Sequence, residues 1–220
     1  MLTLEEKQRL MGLLPEFLLM SDIYDAAALK DCGAVRAETV EQVLEAGKVI
    51  ENRRGIFYNS LDMENPADIL ENCRIVANSM EDLIAVNQAS SDKGITTMVG
   101  LRLTAEDFSG NAMTTAQLRG LVHDIKQLKN VSVCGCIATG EIEGLHGKAL
   151  GQYVRSSYRT AKAMTYILPC SMPYIVIEGL LEAVARNEAE HPEDFEEFLT
   201  AANIVGMQNA TAFYADYYIQ

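Results

Sequence analysis

The sequence predicts a single α/β domain, a (β/α)8 barrel that extends over residues 1–220 and ends in an aromatic C-terminal tail. Two observations predict this fold. Helical and strand-like patterns alternate along the chain with short connections between them. Eight short segments are also apolar on both sides of the pleat, as parallel strands buried on both faces require. A doubly wound parallel sheet is the alternative, since it shares the same alternation.

The strand candidates are short apolar runs bounded by turn residues. We assign strands to residues 16–21, 33–36, 55–58, 74–77, 96–103, 131–138, 165–168 and 204–207. A helix over residues 4–13 precedes the first strand, and a short helix or turn is predicted for residues 22–30. No linker, internal repeat or low-complexity segment divides the chain, so one domain is expected.

Capping residues place helices between the strands. Thr39 precedes a helix over residues 40–46, Ser79 precedes one that runs to about residue 90, and Thr114 with Gln117 forms a capping box. Further helices are predicted over residues 148–164, from Pro173 to about residue 187, and over residues 195–201.

Composition limits the class of partner. The formal net charge is −13, which disfavours nucleic acid and anionic membrane surfaces. No apolar run reaches the length of a membrane span, and the first residues lack the apolar core of a signal peptide. The odd number of cysteines, five, indicates free thiols in a reducing cytoplasm. A small-molecule ligand is the partner that remains.

The C-terminal tail is unusually aromatic, with four Phe or Tyr residues in residues 212–220. So much apolar surface at a chain end predicts packing against the barrel bottom or against a partner subunit. We therefore expect a homodimer.

Polar residues at the predicted carboxyl ends of strands are the candidate site, because barrels place their active sites there. Asn59, Asn78 and Arg102 belong to this group. The two asparagines also suit turns. Arg102 stands out, since a charge in an apolar strand requires a partner.

Two segments are predicted to bind phosphate. The first is Cys170–Pro173 with Ser171, interpreted as a strand end that leads into a helix. The second follows the last predicted strand and contains Gly206, Gln208 and Asn209. Barrels often bind phosphate after strands seven and eight.

Metal binding is not predicted. Cys134 and Cys136 lack a second pair at zinc spacing, and the three histidines, His123, His146 and His191, are far apart in the sequence.

Several segments together resemble one family. They are GAVRAETVEQVLEAG, GIFYNS, RIVANSMEDLIAVNQ, the run from TTMVGLRLT to GNAMT, and VSVCGCIATG. Their order is similar to the barrel of fold-type III pyridoxal-phosphate (PLP) proteins, which include the N-terminal barrel of alanine racemase, related decarboxylases and single-domain PLP homeostasis proteins. The chain length is similar to that of the single-domain branch. The resemblance implies a (β/α)8 barrel, PLP as cofactor and a setting in amino-acid metabolism.

One departure limits that implication. The family carries its Schiff-base lysine on the first strand, whereas this sequence has Phe17–Ser21 there, followed by Asp22 and Tyr24. Lys30 is the nearest lysine, but it lies too close to the second strand to belong to the first. PLP catalysis of the usual type is therefore not expected.

Three functions remain open at the level of the sequence. The first is a barrel that binds PLP or a small phosphorylated or amino-acid ligand, with Asp22, Tyr24 and Arg102 as candidate catalytic residues. The second is an enzyme without PLP in which Asp22, Glu38 or Glu141 acts as acid or base and Arg102 holds an anionic substrate. The third is a non-catalytic regulatory protein.

Overall fold

In the computed structural model, every strand pairs in parallel with the next, and the last strand pairs with the first. The strands of this closed barrel are β1 Leu18–Asp22, β2 Ala34–Ala37, β3 Ile56–Tyr58, β4 Arg74–Ala77, β5 Thr97–Thr104, β6 Val131–Thr139, β7 Tyr174–Ile177 and β8 Ala212–Asp216. The (β/α)8 prediction is confirmed, and the doubly wound alternative is wrong. The structure describes residues 2–14, 17–22, 34–50, 53–60, 63, 65–104, 113–170, 173–202 and 212–216, without the side chains of Asp22 and Val49.

Helices cover the outside of the barrel in the described ranges. They are α1 Leu4–Leu13, α2 Val40–Val49, α3 Met80–Lys93, α4 Thr115–Gln127, α5 Gly147–Ile167, α6 Leu180–Glu190 and α7 Phe195–Ala202. The predicted caps are present at Thr39, Ser79 and Thr114. Each accepts a hydrogen bond from a backbone N–H of the first turn, which satisfies a donor that the helix itself leaves unpaired. No helix in these ranges is long and apolar enough to cross a bilayer.

Tyr174 fills the interior of the barrel, where it lies edge-on to Phe57 with ring centroids 5.0 Å apart. Gly100 on β5 and Gly135 on β6 make room for it, because a Cβ at either position would overlap the Tyr174 side chain. The barrel is therefore a packed core below its carboxyl end.

The predicted strand at residues 165–168 is wrong. Residues Gly147–Ile167 form one helix, α5, in which Ala161 and Met164 are buried while Tyr166 is 79% exposed. That spacing is helical, whereas a strand would alternate. Residues 165–168 resemble a strand only when they are considered without the helical residues that precede them.

The predicted helix that begins at Pro173 is also wrong at its start. Residues Tyr174–Ile177 are all buried and form β7, and α6 begins only at Leu180. Gly179 precedes the helix with φ +67°, in the left-handed region that glycine adopts easily. A fully buried parallel strand shows no alternation, so periodicity alone does not separate it from a buried helix turn.

Residues 212–216 of the aromatic tail form the last strand of the barrel. They pair with both β7 and β1. The expectation that the tail packs across the barrel bottom or against a partner subunit is therefore wrong for residues 212–216. The predicted strand at residues 204–207 lies outside the described residues.

Candidate functional site

A buried ion pair joins the second and last strands at the carboxyl end of the barrel. The Arg36 Nη1 atom lies 2.7 Å from the Asp216 Oδ2 atom, and the Asp216 side chain is fully buried. Arg36 also lies against Glu38, with 3.3 Å between Nε and Oε1. At the rim of the site, the exposed Glu38 carboxylate thus lies beside the buried Arg36–Asp216 ion pair.

A second buried network joins β3, β5 and β7. Arg102 contacts Glu178 as a two-pronged fork, with Nη2–Oε1 at 2.9 Å and Nη1–Oε2 at 3.0 Å. Arg102 Nη2 also donates to the Asn59 side-chain carbonyl at 2.5 Å. Asn59 in turn donates from Nδ2 to Glu178 Oε1 at 3.0 Å. This closed triangle holds each group in one orientation.

Strand periodicity explains why these groups meet. Ala34, Phe57, Val76, Val176 and Tyr214 all belong to the apolar cluster inside the barrel. Successive side chains alternate between faces, so the residue two positions later points inward as well. Those next positions are Arg36, Asn59, Asn78, Glu178 and Asp216. We call this polar layer, together with Arg102, the mouth layer.

Burial controls the protonation of two carboxyl groups near the mouth layer. Burial raises the pKa of Asp216 to about 6, although the neighbouring Arg36 guanidinium acts in the opposite direction. Glu182, in the first turn of α6, has its pKa raised to about 8, chiefly by burial. The charge of Asp216 adds to that increase, while Arg36 and Lys7 oppose it. The raised pKa of Glu182 therefore favours its neutral, protonated form at neutral pH.

Some buried polar atoms at this end are unsatisfied. In the described part of the chain, no other residue provides a hydrogen-bond partner for Arg102 Nε, Asp216 Oδ1 or the Glu182 carboxyl oxygens. Buried polar groups are usually paired, so each of these atoms calls for an explanation. One is a donor on a cation, and the others are oxygens of carboxyl groups.

Of the predicted site residues Arg102, Asn59 and Asn78, the structure brings the first two into direct contact. Arg102 and Asn59 belong to the triangle with Glu178. Asn78 holds the loops instead, because its Nδ2 donates to the Ser60 carbonyl at 2.7 Å and its backbone N–H to Asp82. The other predicted site residues, for which no side chain is described, remain predictions: Asp22, Tyr24, Ser171, Gly206, Gln208 and Asn209.

The premise of both predicted phosphate loops is wrong. Cys170 follows α5, and Pro173 leads into β7, so this segment enters a strand at its amino end. Residues 206–211 precede β8 instead of following the last strand. The residues that do follow β7 and end β8 include the carboxyl groups Glu178 and Asp216. Carboxylates at these positions disfavour a phosphate group.

Glu178, Glu182 and Asp216 are not among the site residues predicted from the sequence. An apolar run followed by Glu-Gly could have indicated the end of β7 at Glu178. The alternation of Phe213, Tyr214, Ala215 and Asp216 could have indicated a strand with an inward carboxylate. Glu182 has no such signal, because only the packing of α6 buries it.

A bound PLP with a Schiff base does not fit the described residues. β1 holds no lysine, and Lys7, the only buried lysine in the described ranges, approaches Ser21 with Nζ–Oγ at 3.4 Å. Ser21 follows the inward-facing Met20 and so lies on the outer face of β1. The Lys7 amine is therefore outside the barrel wall.

A cavity of about 360 Å³ lies at the opposite end, against the first residues of β4 and β5. Its lining includes Arg53, Arg54, Arg74 and Glu71. Barrel enzymes build their sites at the carboxyl ends of strands, whereas the amino end contributes to stability. We therefore place the candidate site at the mouth layer.

Two histidines that are distant in the sequence lie together in the structure. The rings of His146 and His191 stack with centroids 4.0 Å apart, beside Asp194. The expectation that the histidines form no cluster is therefore wrong for this pair.

Comparison by sequence identifies no relative: no protein-family model and no curated protein matches the chain. Solved structures do share its fold. Diaminopimelate decarboxylase from Helicobacter pylori, complexed with L-lysine, matches with a TM-score of 0.66 and 10% identity, over 96% of this chain and 61% of its own. The arginine decarboxylase of Paramecium bursaria Chlorella virus, bound to agmatine, matches with a TM-score of 0.69 and 11% identity over the same shares.

A shorter structure matches over nearly its full length. PipY from Synechococcus elongatus, solved with PLP bound, has a TM-score of 0.62 and 12% identity, over 96% of this chain and 97% of its own. This chain thus spans about three-fifths of the two decarboxylases. The predicted resemblance is confirmed at the level of the fold: the chain has the barrel of the fold-type III PLP proteins.

Proposed function

We propose that this chain, a barrel of the fold-type III PLP type, binds a small zwitterionic ligand of the amino-acid class at its mouth layer without a Schiff base. The observation that carries the proposal is that the described mouth layer contains both an unsatisfied cationic donor, Arg102 Nε, and an unsatisfied acidic oxygen, Asp216 Oδ1. A ligand with a carboxylate and an ammonium group would satisfy both.

The arrangement of charge supports this class of ligand. Arg36 and Arg102 are each held by a carboxylate, so the mouth layer has no large excess of either sign. A dianionic phosphate gains little from arginines that are already neutralised, and it would approach Glu178 and Asp216. A zwitterion carries both signs and so complements both kinds of group.

One structural neighbour supports it as well: the H. pylori enzyme was solved with L-lysine, an amino acid. The viral enzyme was solved with agmatine, an amine that lacks the carboxylate. Amino-acid metabolism is therefore the setting that we propose for this chain. The role of its own residues is to bind and orient the ligand: Arg102 faces the carboxylate, and Asp216 accepts from the ammonium group.

Calorimetric titration with the natural amino acids tests the proposal. Each amino acid is compared with its N-acetyl and its carboxamide derivative, which each lack one of the two charges. We expect saturable binding of at least one amino acid and a loss of about tenfold or more for both derivatives, since a charge-assisted hydrogen bond contributes roughly 1.5–3 kcal/mol. Equal binding of a capped derivative would contradict the zwitterion assignment.

A variant connects the binding to the mouth layer. Asp216→Asn keeps the shape of the side chain but removes its charge, so it should weaken binding of the free amino acid more than binding of the N-acetyl derivative. Glu190→Gln, at an exposed position of α6, is the matched control and should leave both affinities unchanged. Equal changes of affinity in the two variants would contradict the assignment of the binding site to the mouth layer.

A further inference from the structure

Three side chains of the types that ligate metals lie together at the corner where α5 begins and α6 ends. His146 immediately precedes α5, His191 immediately follows α6, and Asp194 closes the 3-10 turn Pro192–Asp194. His146 Nδ1 lies 2.7 Å from Asp194 Oδ2, and one donor atom from each residue lies within 4.8 Å of the others. We propose that these three residues bind a divalent transition-metal ion of the Zn²⁺ class.

The donor set is suited to zinc. Two imidazoles and one carboxylate are a common three-residue zinc ligand set, with water in the fourth position. Tetrahedral zinc, with bonds of roughly 2.0–2.2 Å, places its ligand atoms about 3.3 Å apart. The His146–Asp194 pair is slightly closer than this, and the spread of 4.8 Å is within reach of side-chain rotation.

One ring must turn for the metal to bind. The imidazoles are nearly parallel, with 19° between their planes, so their in-plane lone pairs do not converge on one point. The His146 and Asp194 side chains are 46% and 30% exposed, so the corner has room for that rotation. Water can also reach the metal there as the fourth ligand.

A buried amide fixes the backbone of the corner. Asn187 is 1% exposed; its Oδ1 accepts from the Gly147 N–H at 2.6 Å, and its Nδ2 donates to the His191 carbonyl at 3.1 Å. Gly147 has φ +49°, and a Cβ there would come within 2.9 Å of the Asp194 Cβ. The ligand-bearing segments are thus held in place before any ion binds, which reduces the entropy cost of binding.

Local charge attracts a cation. Six carboxyl groups occur in residues 188–197: Glu188, Glu190, Glu193, Asp194, Glu196 and Glu197. The carbonyl end of α6 adds a partial negative charge at His191. Lys148 and the amino end of α5 act in the opposite direction, but the acidic groups outnumber them.

The test uses full-length protein freed of metal by a chelator. Titration with Zn²⁺ in a calorimeter should show one tight site per chain, and Co²⁺ should give the visible absorption bands of tetrahedral coordination. Saturating Zn²⁺ should raise the melting temperature, because an ion that binds only the folded state stabilises it.

Variants locate the site. His191→Ala and His146→Ala should each weaken Zn²⁺ binding by about tenfold or more, while His123→Ala, at the exposed histidine of α4, should not change it. The His146 side chain makes no cap hydrogen bond to its helix, so its removal should leave the fold intact, as circular dichroism will show. Absence of a tight site would overturn the proposal. Tight Zn²⁺ binding that persists in the double variant His146→Ala/His191→Ala, for which the cysteine thiols would be responsible, would overturn it as well.

Discussion

Arg102 on β5 and Glu178 at the end of β7 form a buried two-pronged ion pair, with Nη2 and Oε1 2.9 Å apart. The pair is as protected from water as the core around it, with side-chain exposures of 6% and 5%. Asn59 hydrogen-bonds to both partners. This relationship ties three strands together and makes the mouth layer a rigid surface for a ligand.

Breaking this pair should be costly. Glu178→Gln leaves the Arg102 charge buried without a counter-charge, and we expect a loss of about 3–5 kcal/mol in the free energy of unfolding, measured by urea titration. Arg9→Gln breaks the exposed pair with Glu188 and should change the free energy of unfolding far less, because solvent screens that pair. A similar small cost for both variants would mean that the Arg102–Glu178 pair contributes little to the fold.

Glu182 should make stability depend on pH. The unfolded chain ionises this group near pH 4.5, whereas the folded protein keeps its proton up to about pH 8. Below pH 4.5 both states are protonated. Between these values the unfolded state binds fewer protons, so stability falls as pH rises. Above about pH 8 both states are ionised and the loss is complete.

The variant Glu182→Gln removes this titration. Its free energy of unfolding should exceed that of the natural protein by an amount that grows from pH 5 to pH 8. The pKa shift implies a difference on the order of a few kcal/mol at pH 8. Urea midpoints at a series of pH values measure the effect. The matched control Glu190→Gln should give no such trend, and a pH-independent Glu182→Gln effect would show that the group is not buried as a neutral acid.

Close packing of Tyr174 gives a third prediction. Gly135→Ala should cost about 1–3 kcal/mol, because the added methyl overlaps the Tyr174 ring. Gly120→Ala, in the interior of α4 with open space around it, should instead stabilise by about 0.5–1 kcal/mol. Thermal or urea unfolding of the two alanine variants measures the contrast. Stabilisation by both would show that the barrel interior is looser than described.

The position of β8 predicts the effect of truncation. Removal of residues 212–220 deletes the strand that pairs with β1 and β7, so cooperative thermal unfolding should be lost. Removal of residues 217–220 alone is the control, because it leaves β8 in place. If the chain truncated after Thr211 unfolds cooperatively with unchanged stability, the segment does not close the barrel.

Sequence patterns predicted the parts of the fold that local chemistry controls. β4 and α1 match their predicted residues, since turn residues or caps bound each apolar run. Arg102 was found because a charge in an apolar strand requires a partner. Its partner Glu178 was not found, because β7 is buried on both faces and begins after a proline, which also suits a helix start. Asp216 was hidden in an aromatic segment that was not assigned to a strand from the sequence.

The tertiary fold determined the remaining features. The neutral state of Glu182 depends on the packing of α6 against the barrel, and the His146–His191 contact joins residues far apart in the chain. No local pattern encodes either of these. The family resemblance predicted the barrel correctly, yet the departure at β1 decided what the resemblance implies for the cofactor.

We propose that this barrel binds its ligand at the mouth layer without a Schiff base. The most direct measurement is to incubate the full-length protein with PLP, reduce it with borohydride and map modified residues by mass spectrometry. We expect no stoichiometric label on any lysine. A single stoichiometric phosphopyridoxyl group on one lysine, Lys30 or Lys7 for example, would contradict it.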